Sequence, residues 1–357
     1  MTTAPRKGRG SASNSTPRFE SLQRESFFDD WPQGASEEDA PPLRTIIFIE
    51  KAKSIVSEND SPDVPFDQSV NVYRGCEHGC VYCFARPTHA YLNLSPGLDF
   101  ETKLFAKENA AELLRQTLSK PSYTPKVIAL GTNTDPYQPI ERRLSLTAAV
   151  LEVLEEFNHP VAITTKSSLV TRDLPLLTRM AEKNLVRVFI SVTSLDREIA
   201  RTLEPRASTP TKRLEAIKLL SDAGVPTGVL VAPVIPLLTD KDIEKILCVA
   251  SEAGAKYAAY VLLRLPREVA GLFREWLAIH HPLKESHVMS LIRQMRGGRD
   301  YDSDFRTRMK GTGVFADLIQ QRFKKACTKV KLNGERIPLN TDLFRRPPEF
   351  SSQLDLF

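Results

Sequence analysis

The chain has 357 residues, is 41% hydrophobic and 26% charged, and carries a net charge of +5, the composition of a globular protein with one large domain and appendages, or two domains. Its longest apolar run, Val229 to Leu238, contains two prolines and is too short to span a bilayer. No apolar stretch follows the basic residues near Met1, and five cysteines are an odd number, so neither a secretory leader nor a disulfide scaffold is expected; the expected address is the cytoplasm, with reduced thiols and no membrane partner.

Residues 1–42 are rich in Ser, Pro, Gly, Arg and acids and poor in apolar anchors, so they read as a disordered extension. A lead-in, 43–67, holds the β-rich run Thr45-Ile46-Ile47-Phe48-Ile49. From 68 to 266, short β-branched runs alternate with amphipathic stretches of helical length. Strands are predicted at 70–73, 126–130, 161–165, 186–190, 227–234 and 256–263. Helices are predicted near 108–119, 145–157, 173–183, 210–223 and 240–254; the fourth starts at Thr209-Pro210 and stops before Gly224, as capping requires. This alternation predicts an α/β fold, a partial (β/α)6 TIM-like barrel with an N-terminal extension and a basic helical C-terminal region. In such folds chemistry sits at the C-terminal strand ends, which here carry Cys, Thr, Asn, Asp, Lys and Ser. The same residues also make ordinary turns.

Residues 267–346 supply a helix near 268–279, a Gly/Arg/Asp-rich loop at 296–313 and a basic helix near 314–329. Between Ser290 and Phe350, 14 lysines and arginines stand against 7 acids, a local surplus larger than that of the whole chain. It suits an anionic partner such as nucleic acid, and suits a solvated basic face equally well. Residues 347–357 read as a flexible tail.

Three of the cysteines, Cys76, Cys80 and Cys83, fall within eight positions, in Arg74-Gly75-Cys76-Glu77-His78-Gly79-Cys80-Val81-Tyr82-Cys83-Phe84. Thiolates on one short loop converge without long-range closure entropy. Three soft ligands without a nearby fourth suit a 4Fe–4S cluster with one iron left open. A structural zinc site would need a fourth ligand. His78 lies between the first two thiols, which strains joint ligation, and His89 is better placed. Cys248 and Cys327 lie in helical surroundings and read as small buried apolar residues.

The Cys-x3-Cys-x2-Cys spacing, with Tyr82 before the last cysteine and a strand before the first, resembles the signature of the radical S-adenosylmethionine (radical SAM) enzymes, over about residues 68–266. The resemblance implies a cluster on three cysteines and S-adenosylmethionine bound to the open iron through its amino and carboxylate groups. It implies reductive cleavage to a 5′-deoxyadenosyl radical that takes hydrogen from a substrate, and an electron donor such as a flavodoxin or ferredoxin. It also implies roles for single residues. Tyr82 lies against the adenine. Thr132, Asn133 and Thr134, at the end of the second strand, hold the methionine amino group, although the frequent Gly-Gly-Glu form is absent. Lys166 pairs with the methionine carboxylate, Ser191 bonds carboxylate or ribose, and the backbone of Val231-Ala232-Pro233-Val234 meets the adenine. Each of these is otherwise a turn residue or a satisfied polar group.

Wider stretches, Arg86-Pro87-Thr88-His89-Ala90-Tyr91, Asp99-Phe100-Glu101-Thr102-Lys103 and Thr132 through Glu141, resemble the branch related to spore photoproduct lyase, the radical DNA-repair enzymes, and most of all a bacterial subgroup of it. The lyases carry a hydrogen-donor cysteine near the end of the second strand. Gly131-Thr132-Asn133-Thr134-Asp135 has none, so thymine-dimer cleavage is not expected. Tyr137 could relay a hydrogen atom, though a turn or packing role suits it better. The end of the chain, Gln353-Leu354-Asp355-Leu356-Phe357, resembles the peptide by which bacterial polymerases and repair proteins dock on the sliding clamp, with Leu356 and Phe357 as apolar anchors. Otherwise it is a hydrophobic end packed back on the domain. Three readings result: a radical SAM enzyme on DNA, in repair; one on a small molecule, protein or tRNA; or a non-catalytic, zinc-stabilised nucleic-acid-binding module.

Overall fold

A computed structural model describes residues 7–19, 43–335 and 337–347; the clamp-like peptide lies outside them. In chain order the elements are β1 (Ile46–Glu50), β2 (Val56–Glu58), β3 (Gln68–Val70), β4 (Tyr73–Arg74), α1 (Leu98–Thr102), β5 (Lys103–Lys107), α2 (Ala110–Ser119) and β6 (Ile128–Leu130). Next come α3 (Glu141–Leu144), α4 (Leu146–Glu156), β7 (Val161–Thr165), α5 (Leu174–Glu182), β8 (Val186–Ser191), α6 (Arg197–Leu203), α7 (Pro210–Asp222) and β9 (Thr227–Val234). The last are α8 (Ile243–Glu252), β10 (Tyr257–Leu262), α9 (Glu268–His280), α10 (Glu285–Gln294) and α11 (Val314–Lys329).

The β-branched runs are buried on both faces, which is why they read as apolar throughout rather than alternating. They form one sheet in the order β10-β9-β8-β7-β6-β3-β2. Six strands, β3 and β6 to β10, run parallel, and only β2 is antiparallel. The register aligns Ile128 with Val161 and Val161 with Val186, so successive strands present their C-terminal ends on one side, here called the mouth. The sheet does not close. Its edges are β2 and β10, and an ion pair ties them: Arg308 Nε lies 2.5 Å from Asp63 Oδ2. Asp63 follows β2, and the segment holding Arg308 is fixed to β10 by the Leu262 amide, which donates to the Met309 carbonyl at 2.9 Å. The fold is therefore the expected partial barrel.

The core lies between the sheet and its helices. Leu114, Leu151, Leu154, Leu177, Leu220 and Leu247 are all buried there, each contributing about 1.5–3 kcal/mol. Thr209 caps α7 through its side chain and Pro210 opens the helix, as the sequence predicts. A second core joins Cys80, Val81 and Tyr82 to α9 and α10 through Val269, Phe273, Trp276 and Met289. The boundary read at residue 266 thus does not separate two cores.

Three differences from the sequence reading have local causes. The first predicted strand breaks at Asn71, whose side chain bonds Thr132 and the Asn133 amide instead of continuing a ladder. β4 then joins β1 and β5 in a separate small sheet, order β1-β5-β4. Residues 7–19, assigned from sequence to a disordered extension, lie against the molecule, with Arg9 and Ser11 buried. At the other end, Arg345 donates its amide to Phe157 O at 2.9 Å, and Arg346 bonds the carbonyls of Lys120, Pro121 and Tyr123. This segment crosses the N-terminal ends of the strands, opposite the mouth.

Candidate active site

The cysteine loop leaves β4 at Gly75 and crosses the mouth. Its turns are local: Gly79 N donates to Cys76 O, and Cys83 N to Cys80 O at 3.2 Å. Its flanks are held from outside. The Glu77 amide donates to Gln138 Oε1 at 2.8 Å, the Val81 amide to Leu203 O, and the Cys76 amide to Phe100 O at 3.0 Å. The fully buried Arg86 donates Nε to Cys80 O at 2.8 Å and pairs with Glu101 at 2.5 Å. Gly79 has φ +68°, and a Cβ there would meet the Glu101 carboxylate, so only glycine suits this turn.

Cys76 and Cys80 are buried and Cys83 is half-buried. Burial pushes both buried thiols up, Cys80 to about 12, with neighbouring thiols and acids adding to the effect. Among the described residues no three His, Cys, Asp or Glu side chains converge closely enough for a single metal ion. His78 Nδ1 instead lies 3.3 Å from Asp135, and His89 Nε2 donates to Lys103 O at 3.0 Å. Neither histidine joins the thiols, so the fourth ligand that zinc requires is not supplied by the pair the sequence offered. Three thiols on one loop do fit a polynuclear cluster, which spaces its thiolates more widely than one ion does.

Around them the strand ends bring together most of the predicted residues, several with bonds that the sequence did not show. Tyr82 is buried, and its hydroxyl donates to Glu204. Lys166, just past β7, places Nζ 5.9 Å from the Tyr82 ring centroid. No carboxylate stands within ion-pair distance of that amine among the described residues. Burial opposes its charge, yet the Cys80 thiol and Glu204 nearby hold its pKa above the usual lysine value. Ser191 is buried and donates to Ala232 O at 3.1 Å. Thr134 is also buried and spends its hydroxyl on Gly75 O at 2.8 Å, so it props the cysteine loop. Thr132 bonds Asn71, and Asn133 alone of the three is exposed.

The sequence reading missed Glu204 and named Asp135 only as part of the strand-end stretch 131–135. Glu204 is buried in an ion pair with Arg213 and accepts from Thr193 Oγ1 at 2.6 Å as well as from Tyr82. Asp135 accepts from Thr165 Oγ1 at 2.6 Å and from the Lys166 amide at 2.7 Å. Burial would raise the Asp135 pKa, but His78 and these bonds outweigh it and hold it at about 2. Asp135 thus links the second and third strand ends to His78 of the cysteine loop.

The profile of the Radical SAM superfamily matches residues 70–248. The chain belongs to the radical SAM superfamily. Members use an iron–sulfur cluster and S-adenosylmethionine, so this radical SAM protein is an enzyme of that type. It is 37% identical over 319 residues to an uncharacterised protein of Mycobacterium tuberculosis, covering 88% of each chain. It is 27% identical over 190 residues to one of Methanocaldococcus jannaschii, covering 53% of this chain and 68% of the other. Among solved structures it resembles spore photoproduct lyase complexed with dinucleoside spore photoproduct, with a TM-score of 0.52, 14% identity, and coverage of 80% of this chain and 79% of that one. A lyase variant with bound AdoMet and the same dinucleoside gives the same score.

Proposed function

We propose that Cys76, Cys80 and Cys83 hold a 4Fe–4S cluster with one iron left for S-adenosylmethionine, and that the enzyme acts on nucleic acid. The observation that carries the first part is the three-thiol loop with the unpaired Lys166 ammonium beside it. When bound, the cluster supplies the electron for reductive cleavage of the sulfonium. The chain's own residues bind and orient. Lys166 is placed to receive the methionine carboxylate, and Tyr82, held by Glu204, offers its ring to the adenine. Ser191, Thr132 and Thr134 shape the strand ends through the bonds they already make, and Asn133 is free to reach the amino group. Reducing equivalents come from a flavodoxin or ferredoxin in the cytoplasm.

The nucleic-acid reading rests on the seam between the sheet edges. Phe84, next to Cys83, is 45% exposed. The Arg264 guanidinium sits 5.0 Å over its ring and 6.0 Å from that of Tyr301. No carboxylate pairs with Arg264 among the described residues, and its buried Nε has no partner. An exposed ring beside a guanidinium whose hydrogen bonds go to Met309 Sδ and the Tyr301 hydroxyl rather than to a carboxylate suits a base and its phosphate. The dinucleoside held by spore photoproduct lyase supports the same class of substrate. The reaction differs from thymine-dimer cleavage, because no thiol stands at 131–135. Tyr137 does not replace it: its buried hydroxyl donates to Asp173 at 3.0 Å. The tail at 353–357 would dock a sliding clamp.

The test uses reduced, reconstituted enzyme with S-adenosylmethionine. Formation of 5′-deoxyadenosine, and single-stranded DNA binding that weakens with salt and is lost in Arg264→Ala, are expected. Cleavage without DNA binding would favour a small-molecule, protein or tRNA substrate.

A further inference from the structure

The segment Arg9 to Arg18 crosses the outer face of the cysteine loop. Arg9 donates to Glu101 O at 2.9 Å, Leu43 O at 2.6 Å and Thr45 Oγ1 at 3.1 Å. Thr45 donates in turn to Glu77, the residue after Cys76, at 2.6 Å. The Gly10 and Ser11 amides donate to the two Glu101 carboxylate oxygens at 3.0 and 2.9 Å. Glu101 is fully buried, and its other partner is Arg86, which grips the Cys80 carbonyl. Gly10 packs so tightly that a Cβ would stand 1.7 Å from Gly79 O and 3.3 Å from Val81 N. Further along, Asn14 exchanges bonds with Asp99, Ser13 bonds Glu275, and Arg18 pairs with Glu268 at 2.5 Å. The strap therefore bridges the cysteine loop and α9.

Lifting the strap would strip two N–H donors from a buried carboxylate and uncover the backbone between Cys76 and Cys83. We propose that this strap retains the cluster, with Gly10 and Arg9 as positioning residues that slow its release; the proposal rests on the cluster reading above. Coupling is reciprocal, so a loaded cluster must in turn fasten the strap.

The test uses the full chain, reconstituted anaerobically. Iron transfer to an external chelator is timed for wild type, Gly10→Ala and the milder Arg9→Ala, alongside thermal unfolding of the metal-free proteins. Hydrogen exchange at the Gly10 and Ser11 amides is followed with and without the cluster. Release about tenfold faster or more in the variants, metal-free unfolding temperatures that fall by far less than the variants' loss of iron retention would need, and slower strap exchange on loading are expected. If Gly10→Ala does not fold, Arg9→Ala and wild-type exchange decide the matter. Wild type that loads iron, with variants releasing it no faster and strap exchange unchanged, would overturn the strap alone. Wild type that takes up no iron would overturn the cluster reading with it.

Discussion

Replacing Lys166 by Met separates a cosubstrate-binding cation from a structural one, because the two roles predict losses of different size in affinity and stability. In the structure the Lys166 ammonium lies 5.9 Å from the Tyr82 ring centroid and pairs with no carboxylate among the described residues, while Glu204 is already satisfied by Arg213, Thr193 and Tyr82. Removing the charge therefore breaks no ion pair in the free enzyme. It keeps the aliphatic stem but removes a cation whose attraction to Cys80 and Glu204 outweighs its desolvation, so stability should fall only modestly, by about 1 kcal/mol. Loss of a charge-assisted bond to the methionine carboxylate costs about 1.5–3 kcal/mol, which weakens S-adenosylmethionine binding by about 10- to 150-fold. Equilibrium binding to the reconstituted enzyme gives the affinity, and urea unfolding of the metal-free chain gives the stability. Unchanged affinity, or a stability loss of several kcal/mol, would refute the reasoning.

Glu204→Gln should behave oppositely: it strands the buried Arg213 and is expected to cost about 3–5 kcal/mol in urea unfolding, and a loss below about 1 kcal/mol would show that the pair is not what holds this corner. Burial keeps the imidazoles of His159 and His89 neutral down to about pH 4, against an ordinary value of 6.5. The unfolded chain takes up those protons first, so stability is full above about pH 6.5, falls as pH drops toward 4 and levels off below; His159→Gln should flatten part of that slope by about 1–3 kcal/mol, and an unchanged slope in pH-dependent melting would contradict it. Deleting 353–357 should abolish binding to a purified sliding clamp in a pull-down titration while leaving DNA binding at the mouth intact; clamp binding that survives the deletion would remove the tail from the account.

The barrel was legible because its strands are written in a composition that only a doubly covered sheet uses, as in Val186-Arg187-Val188-Phe189-Ile190. Helix α7 was legible from its Thr-Pro start. α6 was not, because seven residues hold too little periodicity, and α10 was not read from the sequence either. The three thiols were visible from spacing alone. The groups that organise them were not: Glu204, Arg213 and Thr193 come from different elements and meet only in the fold. Thr134 was read as a cosubstrate ligand from its place at a strand end, and the sequence did not show that its hydroxyl also props the cysteine loop. The strap escaped notice since Gly10 and Ser11 act through backbone amides, and their low apolar content is what disorder also looks like.

The central claim is that three cysteines leave one iron open to S-adenosylmethionine. An EPR spectrum of the reduced, anaerobically reconstituted protein, recorded with and without S-adenosylmethionine, tests it most directly. The account predicts a 4Fe–4S signal that shifts when S-adenosylmethionine is added and is lost in Cys80→Ala. A chain that retains zinc and no iron, or a cluster signal indifferent to S-adenosylmethionine, would contradict it.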